Sequence, residues 1–79
     1  MLEDLELVTL TRDLPEYGLR RGTVGTIVHV YPAGAAYEVE FDRIAGASLP
    51  IVTLEPGDIR PATDQEIGRL RHNVGAAGE

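Results

Sequence analysis

The feature that most constrains the fold is a continuous stretch, residues 14–31, in which a loop, a glycine turn and a strand follow each other directly. The loop contains Pro15 and Gly18, and Gly22 opens a strand that is dense in Val, Thr and Ile. These residue types favour strands. A long first loop before a β-branched strand is typical of the front half of a small SH3-like barrel. The stretch therefore predicts a fold class, but it predicts no activity, because such folds carry unrelated functions.

Length and composition exclude several classes of protein. The 79 residues suit one small domain. The chain contains no cysteine, which excludes disulfide bonds, thiol nucleophiles and thiolate metal sites. Its N-terminus is acidic where a signal peptide would be basic, and no apolar run approaches the ~20 residues of a membrane span. We therefore expect a cytoplasmic protein with no membrane partner.

The charge balance argues against nucleic-acid binding. Thirteen acidic residues stand against seven basic ones, for a formal net charge of −6, and all seven basic residues are arginine. Nucleic-acid binding depends on a basic face that neutralises phosphates. We therefore expect no nucleic-acid partner. The absence of lysine has two explanations: a GC-rich coding bias, or arginine retained for bidentate pairing with a carboxylate-bearing partner.

Five antiparallel strands are predicted. The alternation is cleanest over residues 36–42, where Tyr37, Val39 and Phe41 face inward and three carboxylates face water. The other predicted strands cover residues 5–11, 22–31, 49–54 and 59–61. Gly25 interrupts the second strand, and we interpret it as the bend that a small barrel requires. The predicted core comprises Val8 or Leu7 with Val24, Val28, Val30, Val39, Phe41, Val52 and Leu54.

Turns and one helix complete the predicted architecture. Turns are expected at residues 32–35 and 43–48, a turn or single helical turn is expected at residues 55–58, and Pro50 should lie at a sheet edge. Thr63 and Glu66 form a capping-box pattern that begins a helix. The predicted organisation is an SH3-like β-barrel over residues 1–61, a C-terminal α-helix over residues 62–74 and a flexible tail over residues 75–79.

The motifs in this chain resemble those of a family of short bacterial proteins described as a domain of unknown function. Residues 13–31 fit the pattern DLPxxGLxxGxxGTIVxxY, and residues 37–41 read YEVEF. The resemblance covers about residues 4–61 and leaves out the helix. It implies an SH3-like barrel and no assigned activity. Some proteins of this type lie in gene neighbourhoods of toxins and their immunity partners, which favours an immunity or accessory protein.

We predict no catalytic, cofactor-binding or metal-binding residue. The glycines of residues 18–25 are not a phosphate-binding loop, because no lysine follows them and no helix begins there. His29 and His72 lack the spaced partners of a zinc site. Glu38 and Glu40 share one strand face with Asp42. This face is interpreted as solvated, with a cation site or an acidic docking stripe as the alternatives.

The long loop is the first candidate protein-binding surface. It carries Tyr17 with Arg20 and Arg21, next to Arg12. Tyrosine and arginine are enriched at the energetic centres of interfaces. The alternative is that these arginines pair within the chain, with Glu16 or with the acidic strand.

A second candidate surface combines a strand face with the helix. Ile27 and Tyr31 are predicted to lie opposite Val28 and Val30, and would be exposed on a bare barrel. The helix carries its own apolar stripe, formed by Ile67, Leu70 and Val74. Either the helix folds back on its own barrel, or two chains bury these surfaces in a homodimer, which we favour.

The function expected from the sequence is a non-enzymatic protein-interaction module that binds another protein encoded nearby. The alternative is a small-barrel enzyme or ligand-binding protein whose site forms only on oligomerisation. No cofactor is expected for the interaction module.

Overall fold

Five antiparallel strands form one sheet in which the first strand lies between the second and the last. The computed structural model describes residues 2–41 and 51–69. The strands are β1 (Leu7–Leu10), β2 (Val24–Val30), β3 (Tyr37–Glu40), β4 (Ile51–Leu54) and β5 (Ile59–Pro61). Their order across the sheet is β4-β3-β2-β1-β5, and each neighbouring pair is antiparallel. The predicted mainly β, SH3-like fold of five antiparallel strands is confirmed.

Three short 3₁₀ turns connect these strands, and a proline begins each of them. They are Pro15–Tyr17 between β1 and β2, Pro32–Gly34 between β2 and β3, and Pro56–Asp58 between β4 and β5. Proline suits the first position of a helical turn, because its φ is already near the helical value and its missing N–H would have no partner there. The turn predicted at residues 32–35 and the helical turn predicted at residues 55–58 are both confirmed.

The core lies on one side of the sheet and is mainly aliphatic. The prediction that Tyr37 and Val39 on β3 and Phe41 just after it face inward is confirmed. Of the two alternatives on β1, Val8 is buried and Leu7 is only half-buried. Two loop residues, Leu14 and Leu19, are also part of this core. The buried apolar residues are Val8, Leu10, Leu14, Leu19, Ile27, Tyr37, Val39, Phe41, Val52, Leu54 and Ile59.

Strand β2 differs from the sequence prediction, because the set of alternate residues that points into the core is not the same before and after its middle. Ile27 pairs with Val39 and His29 pairs with Glu38, so Val28 is an extra residue in a β-bulge. A bulge inverts the alternation beyond it. Ile27 is therefore fully buried in the core, and its predicted place on an exposed face is wrong.

The bulge also corrects the predicted core. Val24 and Val28 are half-buried and lie outside the core cluster, whereas Val30, beyond the bulge, packs against it as predicted. The irregularity lies between Ile27 and His29 rather than at Gly25. The bend assigned to Gly25 stays a prediction, and the structure shows another constraint at this glycine. A Cβ at that position would lie 2.8 Å from Val39 Cγ1 and 2.8 Å from the ring of Phe41.

A helix, α1, begins after Thr63, and its described part covers residues 64–69. The capping box is confirmed: Glu66 N donates to Thr63 Oγ1 (3.1 Å), and Thr63 N donates to Glu66 Oε1 (2.9 Å). No helix within residues 2–41 and 51–69 is long and apolar enough to cross a membrane. The turn predicted at residues 43–48, Pro50, Leu70 and the rest of the chain to residue 79 lie outside the described residues.

Candidate functional site

The loop between β1 and β2 is closed at its base by two buried leucines. Leu14 and Leu19 donate backbone N–H groups to each other's carbonyl oxygens, at 2.8 and 3.1 Å. Their side chains belong to the hydrophobic core. Because the core fixes both ends of this segment, the four residues between them form a short tip that is closed at its base.

The tip of the loop places an aromatic side chain at the surface. The 3₁₀ turn Pro15–Tyr17 ends at Gly18, which has a φ of 69° and donates its N–H to Pro15 O (3.1 Å). Glycine adopts this left-handed conformation without steric cost. The turn leaves Tyr17 46% exposed. The structure thus places Tyr17 where the sequence predicted it, on the surface of the long loop.

Two exposed arginines follow on the same loop, and their backbone is held in place. Asp13 Oδ1 accepts the N–H of Arg21 (2.8 Å), and Thr23 Oγ1 donates to Arg20 O (2.6 Å). Within the described residues, the ion pairs do not involve either guanidinium. The structure therefore places Tyr17, Arg20 and Arg21 at the surface of one loop, and we call these three residues the loop surface.

Arg12 does not belong to the loop surface, because it is paired elsewhere. Its Nε lies 2.8 Å from Asp58 Oδ1, in the 3₁₀ turn before β5. The hydrogen bond from Arg12 is the main reason that the pKa of Asp58 lies below its ordinary value. Pairing within the chain, which the sequence left open for all three arginines, is thus found at Arg12, and its partner is neither Glu16 nor the acidic strand.

Tyr31 is half-buried on the outer face of the sheet, the side away from the core. Its hydroxyl donates to Glu38 Oε2 at 2.5 Å, and Thr53 Oγ1 donates to the same oxygen at 2.7 Å. These two bonds, Tyr31 first, lower the pKa of Glu38. The ring of His29 meets the Tyr31 ring edge to face, with centroids 4.8 Å apart. Residues from β2, β3 and β4, or from just beyond their ends, thus form one polar cluster. We call it the outer-face cluster, and it consists of His29, Tyr31, Glu38 and Thr53.

A second polar cluster fixes the start of α1 against its own sheet. Glu66 accepts hydrogen bonds from Thr9 Oγ1 (2.9 Å) and from Arg60 Nη1 and Nη2 (3.0 and 2.8 Å). Thr9, on β1, has 0% of its surface exposed. The sequence offers no signal for these contacts, because 57 residues separate Thr9 from Glu66.

The position of α1 bears on the second predicted surface. Ile67 follows Glu66 and is half-buried. The described first turns of the helix lie on the chain's own sheet, as in the fold-back alternative. The described residues of that predicted surface, Ile27, Tyr31 and Ile67, do not form one exposed patch, since Ile27 is in the core and Tyr31 belongs to the outer-face cluster. Leu70 and Val74 lie outside the described residues. The homodimer stays a prediction.

Glu66 should make the stability of the protein depend on acid pH. The hydrogen bonds from Arg60, then from the N–H of Thr63, hold the pKa of Glu66 far below its ordinary value of 4.5. A carboxylate with a lowered pKa in the folded state stabilises it above the ordinary value, and this contribution is lost as the pH falls. We expect Glu66→Gln to lower the melting temperature at pH 7 and to lower it by less near pH 3, where part of this contribution has been lost because the unfolded chain already binds the proton. Thermal melts of both proteins at the two pH values measure this, and an equal difference at both would contradict it.

The described residues form no obvious metal centre. Within residues 2–41 and 51–69, no group of three or more His, Asp or Glu side chains could hold a metal ion.

Fold and surface together define a class: a small mainly β domain of SH3-like topology with an aromatic and arginine-bearing loop held by its core.

Comparison with known proteins assigns the chain to a family. Residues 4–61 match the family described as Domain of unknown function (DUF4926), and the chain belongs to that family. No curated protein matches the chain. No solved structure matches it either.

Proposed function

We propose that this chain is a non-enzymatic protein-interaction module of the cytoplasm, and that the loop surface binds an acidic segment of a partner protein. The observation that carries this proposal is the fixed base of the loop. The Leu14 and Leu19 bonds and the Asp13 bond to Arg21 hold the backbone on both sides of Tyr17. A surface that is ordered before binding loses less conformational entropy when a partner docks.

The chemistry of the loop surface favours an acidic partner. A guanidinium presents donors in a planar fork that matches a carboxylate, and it can also pack on an aromatic ring. Arg20 and Arg21 are exposed, whereas Arg12 and Arg60 are occupied by ion pairs to Asp58 and Glu66. The partner is therefore a protein that presents carboxylates, and an immunity or accessory role with a partner encoded nearby fits this chemistry.

The test is a comparison of binding by three proteins. The parent, the double variant Arg20→Gln with Arg21→Gln, and the control Arg69→Gln are used to capture partners from an extract of the source organism. Arg69 is an exposed arginine on α1, so the control removes one positive charge elsewhere on the surface, against two in the double variant. Sedimentation of the parent alone shows whether the partner is instead a second copy of the chain.

We expect one acidic protein to be held by the parent and by the control and lost with the double variant. With that partner purified, the dissociation constant should rise at least tenfold for the double variant, which corresponds to about 1.4 kcal/mol. Equal affinity for all three proteins would contradict the proposal. A loss that the Arg69 control shares would indicate a general charge effect instead.

A further inference from the structure

The outer-face cluster contains a carboxylate that two hydroxyl groups hold in position through one of its oxygens. Glu38 Oε2 accepts both hydroxyl hydrogen bonds, one from Tyr31 beyond the end of β2 and one from Thr53 on β4. Among the described residues, no hydrogen bond reaches Oε1 of Glu38. Glu38 is half-buried at this surface. An ionised oxygen held in this way is a preorganised acceptor for a cationic donor.

Two aromatic rings stand beside this carboxylate. The planes of His29 and Tyr31 are 89° apart, with centroids separated by 4.8 Å, so they form two walls of a corner. The Tyr31 hydroxyl, bonded to Glu38, joins the corner to the carboxylate. A planar cation can stack on an aromatic face while its N–H groups reach a carboxylate. A carboxylate without the rings would not distinguish such a cation from any other positive charge.

The chemistry of the cluster selects an organic cation over a metal ion. Glu38 is the one carboxylate in this hydrogen-bonded cluster, and a hard divalent cation needs several oxygen ligands. No metal-binding group of three side chains occurs in the described part of the chain. The net charge of −6 attracts cationic partners at long range. The site therefore fits a single guanidinium rather than a metal ion.

We propose that His29, Tyr31 and Glu38 form a recognition site on the outer sheet face for an arginine side chain of a partner protein. The guanidinium donates to Glu38 Oε1 and packs against the ring corner. Thr53 holds the carboxylate from the other side and acts as a positioning residue. The site lies on β2, just beyond its end and on β3. It shares no residue with the loop surface, and it is independent of the function proposed for that loop.

The test is an NMR titration of the full chain with a blocked Gly-Arg-Gly peptide. We expect saturable shifts at His29, Tyr31 and Glu38, and none with the neutral Gly-Gln-Gly peptide. Glu38→Gln keeps an oxygen that can accept the two hydroxyl bonds but removes the charge, and it should weaken binding at least fivefold. Glu3→Gln, which removes the same charge from an exposed position, should leave the affinity within twofold.

A second variant keeps the proposal falsifiable if Glu38→Gln does not fold. His29 is exposed, so His29→Ala should leave the spectrum dispersed while weakening the arginine peptide at least threefold. Shifts that do not saturate and that spread over all acidic residues would overturn the proposal, as would equal losses in the Glu38 and Glu3 variants. Magnesium ions that produce the same shifts would assign the site to a metal and overturn it too.

Discussion

Gly25→Ala will lower the free energy of unfolding by about 3 kcal/mol, the upper part of the range for overpacked cores. The added methyl carbon would lie 2.8 Å from three atoms, Phe41 Cδ1, Phe41 Cε1 and Val39 Cγ1. Two of them belong to the rigid ring of Phe41, and both Phe41 and Val39 have no exposed surface, so neither can move aside without disturbing the core. For a domain of this size, the loss corresponds to a fall of about 12–24 °C in melting temperature, which calorimetry measures.

A matched control for this prediction exists in the same chain. Gly68 lies in α1 with no atom within 4 Å of a built Cβ, so Gly68→Ala should be stabilising, by about 0.5–1 kcal/mol. Combining Gly25→Ala with Phe41→Leu should cost less than the sum of the two single changes, because the smaller side chain makes room for the methyl group. A Gly25→Ala protein that melts with the parent would show that Phe41 does not pack on this glycine.

Phe41→Ala is expected to lower the free energy of unfolding by about 3–5 kcal/mol, the usual cost of removing a buried aromatic ring. Phe41 has no exposed surface and is the largest fully buried side chain of the described residues. The core is mainly aliphatic, so no neighbouring side chain of similar size is free to fill the cavity that the ring would leave. Urea unfolding of the variant and the parent measures the difference.

The control for Phe41→Ala is Ile51→Ala on the edge strand β4. Ile51 is 56% exposed, so its loss should cost less than about 1 kcal/mol. A Phe41→Ala variant whose melting temperature lies within a degree or two of the parent's would show that Phe41, just after β3, does not point into the core.

The elements that the sequence predicts well depend on neighbours along the chain. The alternation of Tyr37, Val39 and Phe41 follows from the period of a strand, and the capping box of Thr63 and Glu66 is closed by groups three residues apart. The position of Tyr17 on a surface loop follows from the proline and glycine around it. In each case the deciding interaction lies within one turn or one strand.

The two candidate sites differ in how far apart their residues lie along the chain. Tyr17, Arg20 and Arg21 are close in sequence, so a single loop carries all three. The partners of Glu38 come from the end of β2 and from β4, and Thr53 is 15 residues away. Glu38 could be predicted to face outward, but the two hydroxyl groups that fix its carboxylate could not.

What the sequence by itself determined is the set of strands, the turns and the capped start of the helix, because propensity, alternation and capping act over a few residues. Only the tertiary structure decided which face of β2 enters the core. The extra residue at Val28 exchanges the two faces, and its position follows from pairing with β3 rather than from the composition of β2. The same holds for Gly25, whose small size is required by the ring of Phe41, just after β3. It also holds for Thr9, whose hydroxyl donates to Glu66, 57 residues further along the chain. Contacts between distant parts of the chain exist only after the strands have paired, so no local pattern records them.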